Sequence, residues 1–494
     1  MDTGWRMKPC GMSLTGSFSY SPAPDFTRKD GDRMTSTQPP LHLRDDGRTP
    51  FPSEDVTQWR ERITAEAYRN YLYSYPHKTA YRDLNPPVPL EPLWREEPAE
   101  SFFLYMHIPF CGARCGFCNL FTLPDKRAEV HTVYVNALER QARQWAAFTG
   151  SKPFARFAIG GGTPSLLAPA QLRRLFGIAE DIMGLDAATA SISVETSPET
   201  LTEEKLNILK EHTVDRVSMG IQSFVAAESA AIYRPQNPDV VYRALELLKQ
   251  YDFPILNLDL IYGLPGQTVE SWLFSLQQAV NQGPEEIFIY PLYTRHHTIV
   301  KPEDIQRQPD IRHECYQAAQ LLLTGHGYTQ YSMRRFAKET AGTHKPILDY
   351  SCQEEGMVGL GCGARSYTRN VHYASRYGVS RKATESIIAD YVSAERYDTA
   401  DYGIMLSLEE QKRRFILKAV LHSEGLKLAD YSGRFASSLW RDYPELGLLL
   451  QSGLGREEDG ILRLTPEGLG YSDSIGDWFI SGEIRKQMER FVLP

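Results

Sequence analysis

The sequence "HIPFCGARCGFCNLF", residues 107–121, places three cysteines within eight positions, directly after a short apolar run. Cys111, Cys115 and Cys118 have the spacing CxxxCxxC. Three interpretations are open: an iron–sulfur cluster, a zinc site that needs a fourth ligand, and incidental buried thiols. His107 lies inside the apolar run and no second CxxC pair follows, so the spacing favours the cluster over zinc.

The number of cysteines indicates what kind of cluster this is. A cubane [4Fe–4S] cluster normally takes four thiolates. Three thiolates leave one iron with an open position that a small molecule can chelate. The motif therefore predicts a catalytic cluster rather than one that only carries electrons.

Composition excludes several classes of protein. The chain has 494 residues, 42% of them hydrophobic and 23% charged, which is ordinary for a soluble enzyme of two or three domains. A formal net charge of −8 and the lack of a basic block argue against nucleic acid as a partner. We find no apolar run of the roughly 18 residues that a membrane span needs, and no signal peptide. We expect a cytoplasmic protein with no membrane span.

The middle of the chain has the rhythm of an α/β fold. Residues 101–330 alternate helical patterns with six apolar runs: "FFLYMHI", "FARFAIG", "ASISVET", "VDRVSMG", "ILNLDLIYG" and "EIFIYPL". Repeated βα units around a parallel sheet predict a partial (β/α)6 barrel, whose chemistry gathers at the carboxyl ends of the strands.

The regions on either side predict further parts. Residues 1–50 are rich in Ser, Thr, Pro and Gly and are expected to be a disordered extension. Residues 51–100 are interpreted as a helix and a connector. From 331 to 494 the pattern changes to a glycine-rich segment followed by helices, which predicts a smaller, α-rich C-terminal cap domain.

The cysteine motif resembles the signature of the radical S-adenosylmethionine superfamily, within the subfamily of oxygen-independent coproporphyrinogen III oxidases. The resemblance covers about residues 101–370. It implies that the open iron binds the amino and carboxylate groups of S-adenosylmethionine. One electron then cleaves the sulfonium to methionine and a 5′-deoxyadenosyl radical that abstracts hydrogen. The family also implies a small-molecule substrate and a flavodoxin- or ferredoxin-type electron donor.

The same resemblance implies a set of residues that contact S-adenosylmethionine. "GGGTP", residues 160–164, follows the second strand, where glycine lets backbone N–H groups approach a ligand closely. In "RVSMGIQSF", residues 216–224, Arg216 and Ser218 are predicted to lie with Gln222 around the end of the fourth strand. The implied cofactor contacts are Tyr105, Gly161, Gly162, Thr163, Glu195, Gln222, Arg234 and Asp259.

A second molecule of S-adenosylmethionine is implied by three positions. Phe117, Gly162 and Gln222 are similar to residues that line a second site in this subfamily. In the related class C methyltransferases the second molecule is the methyl source. Our main functional prediction is therefore methyl or methylene transfer (methylation or cyclopropanation) to an sp² carbon. "GMVGLGCGARSY", residues 356–367, resembles the segment that closes such a pocket.

Two rival functions stay open. The oxidases carry a fourth cysteine two residues after the third, where this chain has Leu120. The haem-binding trafficking relatives carry an HNxxYW-type motif, and "ILDYSCQEEGMVGLG", residues 347–361, contains no His-Asn pair. These two departures count against porphyrinogen oxidation and haem trafficking. Both functions stay open as alternatives to methyl transfer.

Three further features have no assigned role. His296 and His297 follow the sixth strand. They are interpreted either as a substrate contact or as a solvated pair in a loop. The segment "NYLYSYPHKTAYR", residues 70–82, is either a lid over the barrel mouth or part of the barrel wall. The remaining cysteines show no ligand spacing and are expected to be unpaired thiols: Cys10, Cys315, Cys352 and Cys362.

Overall fold

Six neighbouring parallel strands form the centre of the sheet, and their order in space follows their order along the chain. They are β2 (Phe102–Ile108), β5 (Phe154–Gly161), β6 (Ser191–Thr196), β7 (Arg216–Gln222), β8 (Ile255–Tyr262) and β9 (Glu286–Pro291). Most of their residues are buried, as expected for parallel strands covered on both faces. This arrangement confirms the predicted α/β fold with a partial (β/α)6 barrel.

The computed structural model of the chain describes residues 55–68, 70–71, 74–150, 152–295, 298–301, 303, 309–339 and 356–492. Several sequence predictions lie outside these residues: the extension at 1–50 with Cys10, the pair His296 and His297, and Cys352. Within the described part, no helix has both the length and the apolar character that a membrane span requires.

The helices that separate the barrel strands follow the predicted pattern closely. In α7 the buried residues Val241, Ala244, Leu245 and Leu248 recur at helical spacing and face the sheet. Its first turn is fixed by the Asn237 side chain, which accepts a hydrogen bond from a backbone N–H. The helices of the barrel are α3 (Ala128–Thr149), α4 (Pro169–Gly177), α5 (Glu203–Glu211), α6 (Ala226–Ala231), α7 (Pro238–Tyr251), α8 (Val269–Asn281) and α9 (Arg312–Gly325).

The sheet continues beyond the barrel at both edges and contains thirteen strands among the described residues. β12 (Met357–Leu360) lies parallel to β2, with Gly359 opposite Tyr105. The other added strands pair antiparallel: β1 (Arg82–Pro89), β10 (Thr329–Gln330), β11 (Arg335–Ala337), β13 (Arg365–Tyr367), β14 (Val371–Ala374) and β15 (Thr399–Met405). The domain boundary predicted at residue 330 therefore cuts a continuous sheet, because later strands hydrogen-bond to both edges of the barrel.

The C-terminal part is rich in helices, as predicted. A small antiparallel sheet joins them, made of β16 (Leu426–Lys427), β17 (Gly455–Glu458) and β18 (Ile461–Leu464). Its helices are α10 (Arg381–Ser393), α11 (Leu408–Val420), α12 (Leu428–Phe435), α13 (Leu439–Asp442), α14 (Gly447–Gln451), α15 (Pro466–Gly470), α16 (Ser472–Trp478) and α17 (Gly482–Glu489).

The N-terminal helices pack onto this scaffold from outside the barrel. They are α1 (Val56–Ala65) and α2 (Leu90–Arg95). Trp59 of α1 packs edge-to-face against Trp478 of α16, with ring centroids 5.1 Å apart. The first and last parts of the described chain are therefore in direct contact.

A buried ion-pair network ties the amino-terminal ends of the strands together. Glu286 accepts hydrogen bonds from Arg216 Nε at 2.7 Å and from Arg335 Nη2 at 2.8 Å. Arg216 also donates to Ser193 Oγ at 3.2 Å. Arg216 is the first residue of β7, so the prediction that it lies at the carboxyl end of this strand is wrong. The strand begins and ends two residues later than "VDRVSMG" suggested.

Replacing Glu286 with Gln should destabilise the protein by ~3–5 kcal/mol, because two buried guanidinium groups would lose their shared counter-charge. Urea unfolding followed by circular dichroism would measure the change. Glu385→Gln is the matched control, since Glu385 pairs with Arg381 on an exposed helix surface and should contribute under about 1 kcal/mol. Equal effects of the two substitutions would contradict the structural importance of the buried network.

Candidate cluster and cofactor site

The cysteine loop runs from β2 to α3, and a pair of very short parallel strands closes its base. These are β3 (Phe110–Cys111) and β4 (Leu123–Pro124). The tip is fixed at Gly116, whose N–H donates to the Ile232 carbonyl at 2.7 Å. A Cβ atom at Gly116 would lie 2.7 Å from the ring of Tyr233 and 3.0 Å from the Ile232 carbonyl oxygen, so a side chain here would crowd this contact. The loop is therefore held by segments that follow β7.

The three predicted ligands are free thiols on this one loop, and each is half-buried. Thr163 Oγ1 lies 3.7 Å from Cys111 Sγ, and Arg234 Nη1 lies 3.5 Å from Cys115 Sγ. Burial raises the pKa of Cys111 to about 12 and also raises the pKa of Cys118. Thiols in such surroundings become good ligands only when a metal supplies the missing positive charge.

The donor set suits an iron–sulfur cluster, whose protein ligands are cysteine thiolates that each bind a different iron. Three thiols on a single loop, with a guanidinium beside one of them, suit an anionic cluster with three protein ligands.

The glycine segment after β5 lies directly against the exit of β2. The Gly162 N–H donates to the Ile108 carbonyl at 2.8 Å, and the Thr163 N–H donates to the Phe110 carbonyl at 2.7 Å. Gly161 has a φ of +111°, and a Cβ there would lie 2.5 Å from the His107 ring. Gly161 and Gly162 must therefore be glycine for the two strand ends to meet.

Two acidic side chains lie near this segment, on β6 and β8, with β7 between them. Glu195 Oε2 accepts a hydrogen bond from the Gly161 N–H at 3.0 Å. Asp259 accepts from Asn257 Nδ2 at 2.9 Å and from Ser218 Oγ at 3.2 Å. The pKa of Glu195 is raised to about 7, chiefly because burial disfavours the charged form, and Asp259 adds to this effect. Burial likewise raises the pKa of Asp259.

Arg234 is held in place by two hydrogen-bond partners. Its Nη2 donates to the Gly220 carbonyl at 2.7 Å. The Gln236 amide, oriented to accept from Arg234 Nε at 2.9 Å, also donates to the Ile221 carbonyl at 2.9 Å.

Gln222, the last residue of β7, has a φ of +70° and is buried. A non-glycine residue in this strained region often marks a functional position.

His107 was not assigned a role in the sequence analysis, yet it links the two sides of the site. Its Nε2 lies 2.9 Å from the Phe121 carbonyl, so this nitrogen carries the proton, and its Nδ1 accepts from the Tyr105 hydroxyl at 3.2 Å. Burial lowers the pKa of His107 to about 4, which keeps the ring neutral. Because His107 lies inside an apolar strand, no pattern in the sequence indicates that it supports the site.

A cavity of about 270 Å³ opens beside the cysteine loop. Of the predicted cofactor residues, Tyr105, Gly161 and Glu195 line it. Phe117 instead packs against an apolar cluster that includes Ile261 and Val300. The structure thus brings part of the predicted set to one cavity and places Phe117 against the protein core.

Described residues of the segment at 70–82 line one wall of this cavity, namely Tyr71, Lys78 and Tyr81. Lys78 lines the cavity, and its Nζ donates to the Asn119 carbonyl in the cysteine loop at 3.2 Å. Its Nζ also lies 3.5 Å from the centroid of the Tyr377 ring. Arg365 of β13 and Tyr377, which follows β14, also line the cavity. Sequence reasoning missed Lys78, Arg365 and Tyr377, because no local pattern connects segments so far apart.

Two family models match this chain. The radical SAM superfamily matches residues 105–279, and the HemN C-terminal domain matches residues 406–470. The first match contains the cysteine loop and the strand ends described above. The second begins just before α11.

The chain is also similar to several characterised proteins. The heme chaperone HemW of Escherichia coli is 31% identical over 274 residues, which are 53% of this chain and 68% of that protein. The oxygen-independent coproporphyrinogen III oxidase of Escherichia coli is 26% identical over 428 residues, 81% of this chain and 91% of that protein. The solved structure of coproporphyrinogen III oxidase (HemN) from Escherichia coli superposes with a TM-score of 0.66 at 20% identity, covering 90% of this chain and 100% of that chain.

The raised pKa of Glu195 predicts how stability depends on pH. Between about pH 4.5 and pH 7 the folded protein holds a proton that the unfolded chain has released, so wild-type stability should fall as pH rises through this range. Glu195→Gln should reduce this slope, to which the raised pKa of Asp259 also contributes, and should stabilise the cofactor-free protein above neutral pH by up to ~3 kcal/mol.

Urea midpoints at about pH 5 and about pH 8 would measure the slope. Glu246→Gln, at an exposed position of α7, is the control and should keep the wild-type slope. An unchanged slope in Glu195→Gln would show that this carboxyl is not the titrating group.

Proposed function

Because the chain belongs to the radical S-adenosylmethionine superfamily, in the group that contains HemN and HemW, we propose that Cys111, Cys115 and Cys118 hold a [4Fe–4S] cluster that uses S-adenosylmethionine. The observation that carries this proposal is the grouping of three free thiols on one loop beside Arg234 and a cavity. When bound, such a cluster supplies the electron for reductive cleavage of S-adenosylmethionine, which starts hydrogen abstraction.

The residues around the loop have distinct tasks in this scheme. Arg234 is oriented by Gly220 and Gln236, so its remaining N–H groups can receive a carboxylate without reorganisation. The glycines of the segment after β5 let polar backbone atoms approach a ligand closely. Glu195 and Asp259 offer carboxyl oxygens to the ammonium or hydroxyl groups of the cofactor.

Tyr105 and His107 have a positioning task. The neutral His107 ring bridges the Tyr105 hydroxyl and the backbone of the cysteine loop. This bridge fixes the Tyr105 ring against the cavity wall. A rigid wall excludes water from the place where a reactive intermediate would form.

For the reaction itself, we propose methyl or methylene transfer to an sp² carbon with two molecules of S-adenosylmethionine. This proposal rests on the residues of this chain. Leu120, which lines the cavity, stands where the oxidases are expected to carry a fourth cysteine. Gln222, at the end of β7, has the strained backbone that often accompanies a ligand contact. Phe117 contributes no support, since it packs against the apolar cluster.

Porphyrinogen oxidation is the second candidate, and two observations favour it. A coproporphyrinogen III oxidase is similar to this chain over most of its length. The cavity also presents Lys78, Arg365 and Arg376, which would suit the carboxylates of a porphyrinogen. Haem trafficking is a third candidate, and the similarity of the chain to two relatives named heme chaperone HemW supports it.

Replacing Cys115 with Ala should prevent formation of the reconstituted cluster, because two thiolates cannot hold the cubane. Iron and sulfide content and visible absorbance would show the loss, and 5′-deoxyadenosine formation should stop. Cys315→Ala is the control, because Cys315 is a buried free cysteine of α9 and should leave the cluster intact. A normal cluster in Cys115→Ala would refute the ligand assignment.

The products distinguish the three functions in anaerobic incubations with methyl-labelled S-adenosylmethionine. Methyl transfer should give S-adenosylhomocysteine together with 5′-deoxyadenosine. Porphyrinogen oxidation should release carbon dioxide from coproporphyrinogen III without S-adenosylhomocysteine. Haem trafficking should give stoichiometric haem binding with a Soret band and little cofactor cleavage. Mass spectrometry and absorbance would decide, and either of the last two results would contradict the methyl-transfer proposal.

A further inference from the structure

A buried carboxylate joins two segments that support the cysteine loop. Glu228, in α6, is 3% exposed. It accepts hydrogen bonds from Ser223 Oγ at 2.6 Å, from Gln267 Nε2 at 2.9 Å and from Ser271 Oγ. In the part of the chain that the structure describes, Glu228 forms no ion pair, so three uncharged donors satisfy a carboxylate that would otherwise be costly to bury.

The first of these segments leads from the end of β7 to the cysteine loop. The Ser229 hydroxyl of α6 donates to the Ser223 carbonyl at 3.3 Å, and the Ser229 carbonyl accepts from the Arg234 N–H at 3.0 Å. The Ile232 carbonyl, directly after α6, accepts from the N–H of Gly116 at the tip of the loop. The course of α6 therefore sets the position of the carbonyl that fixes the loop and of the Arg234 backbone.

The second segment follows β8 and is bound to the same carboxylate by Gln267. Gln267 Oε1 accepts from the Gly263 N–H at 2.6 Å and from the Leu264 N–H at 3.2 Å. Leu264 is 2% exposed and belongs to the apolar cluster that contains Ile232 and against which Phe117 of the cysteine loop packs. One carboxylate thus connects both segments on which the loop rests.

Removal of the Glu228 side chain would leave buried donors without acceptors, which disfavours the arrangement that holds them. The Gln267 amide cannot turn around to compensate, because its oxygen already accepts from two backbone N–H groups. A helix of only six residues such as α6 has little stability of its own. We therefore expect α6 to shift, and with it Arg234, whose Nη1 lies 3.5 Å from Cys115 Sγ.

We propose that Glu228 is a positioning residue that holds Arg234 beside Cys115 and thereby sets the affinity of the site for the carboxylate group of S-adenosylmethionine. Gly220 and Gln236 orient the guanidinium group, whereas Glu228 fixes the backbone from which it extends. This role rests on the proposed function, in which Arg234 receives that carboxylate, and deepens it by assigning a residue that acts through Arg234.

A double-mutant cycle tests whether Glu228 acts through Arg234. Equilibrium dialysis would measure binding of S-adenosylmethionine to the anaerobic, cluster-loaded protein. Glu228→Ala should raise the dissociation constant about tenfold, and Arg234→Gln should raise it at least as much. In the Arg234→Gln background, Glu228→Ala should change the constant less than about twofold, because the group that it positions is gone. An unchanged constant in Glu228→Ala, or an effect of similar size in both backgrounds, would overturn the proposal.

The EPR spectrum of the reduced cluster gives a second readout. Glu228→Ala should keep the iron and sulfide content of wild type but need about tenfold more S-adenosylmethionine for the spectral change that the cofactor causes. Glu228→Gln should stay within about twofold of wild type, because its amide oxygen can accept from Ser223 and Gln267 while its NH2 group donates to the Ser271 hydroxyl. Loss of iron in Glu228→Ala would contradict a role through Arg234 and overturn the proposal.

Asp442→Ala is the matched control. Asp442 of α13 also accepts hydrogen bonds from three side chains, those of Lys412, Tyr431 and Ser437. These partners all belong to the C-terminal region. The variant should therefore lower the thermal unfolding temperature but keep the wild-type dissociation constant for S-adenosylmethionine. A weakened affinity in this control would show that any loss of stability affects the site, and would overturn the specific role of Glu228.

Ser223→Ala removes one of the three donors and serves where Glu228→Ala does not fold. It should raise the dissociation constant about threefold on its own and leave it unchanged in the Arg234→Gln background. No rise in Ser223→Ala would then overturn the proposal. If wild type neither assembles the cluster nor binds S-adenosylmethionine, the proposed function is refuted. Normal wild-type binding that is insensitive to Glu228 would refute the positioning role alone.

Discussion

The meeting of the β2 and β5 strand ends is the constraint on which the site depends. Two backbone hydrogen bonds join the glycine segment to the carbonyls of Ile108 and Phe110. They hold the first cysteine and the acidic residue Glu195 on opposite sides of one junction. The junction requires Gly161 and Gly162, because side chains there would collide with His107 and with the backbone at Phe110. If the strand ends separated, the cysteines would remain on their loop but would lose the cavity beside them.

The barrel was predictable because each of its strands can be recognised from its own short stretch of sequence. Buried parallel strands are continuous apolar runs, and their helices carry an apolar stripe, so neither needs distant information. β7 was misplaced by two residues for a local reason. Val214 is apolar and buried, but it belongs to the preceding turn, and the polar end of the strand at Gln222 did not look like strand. The candidate cysteine ligands were equally local, since their spacing can be recognised within one short stretch of sequence.

The cavity wall was not predictable, because long-range pairing builds it. β1 has the sequence "RDLNPPVP", whose prolines argue against a strand. The prolines are tolerated because β1 lies at the edge of the sheet. Its neighbour β15 lies more than three hundred residues later, and this pairing brings Lys78 to the cavity. The C-terminal helices reinforce it, because Ser481 Oγ donates to Glu410 at 2.7 Å and Glu410 in turn binds Tyr75. The C-terminal region thus helps to shape the cavity through these contacts.

The edge position of β1 has a consequence for the order in which the molecule is assembled. During synthesis the cysteine loop and its neighbouring strands leave the ribosome long before β15 at Thr399–Met405 exists. Until β15 is made, β1 has no strand to pair with and the wall that carries Lys78 cannot close. The cysteine loop is therefore synthesised well before the cavity wall beside it can form.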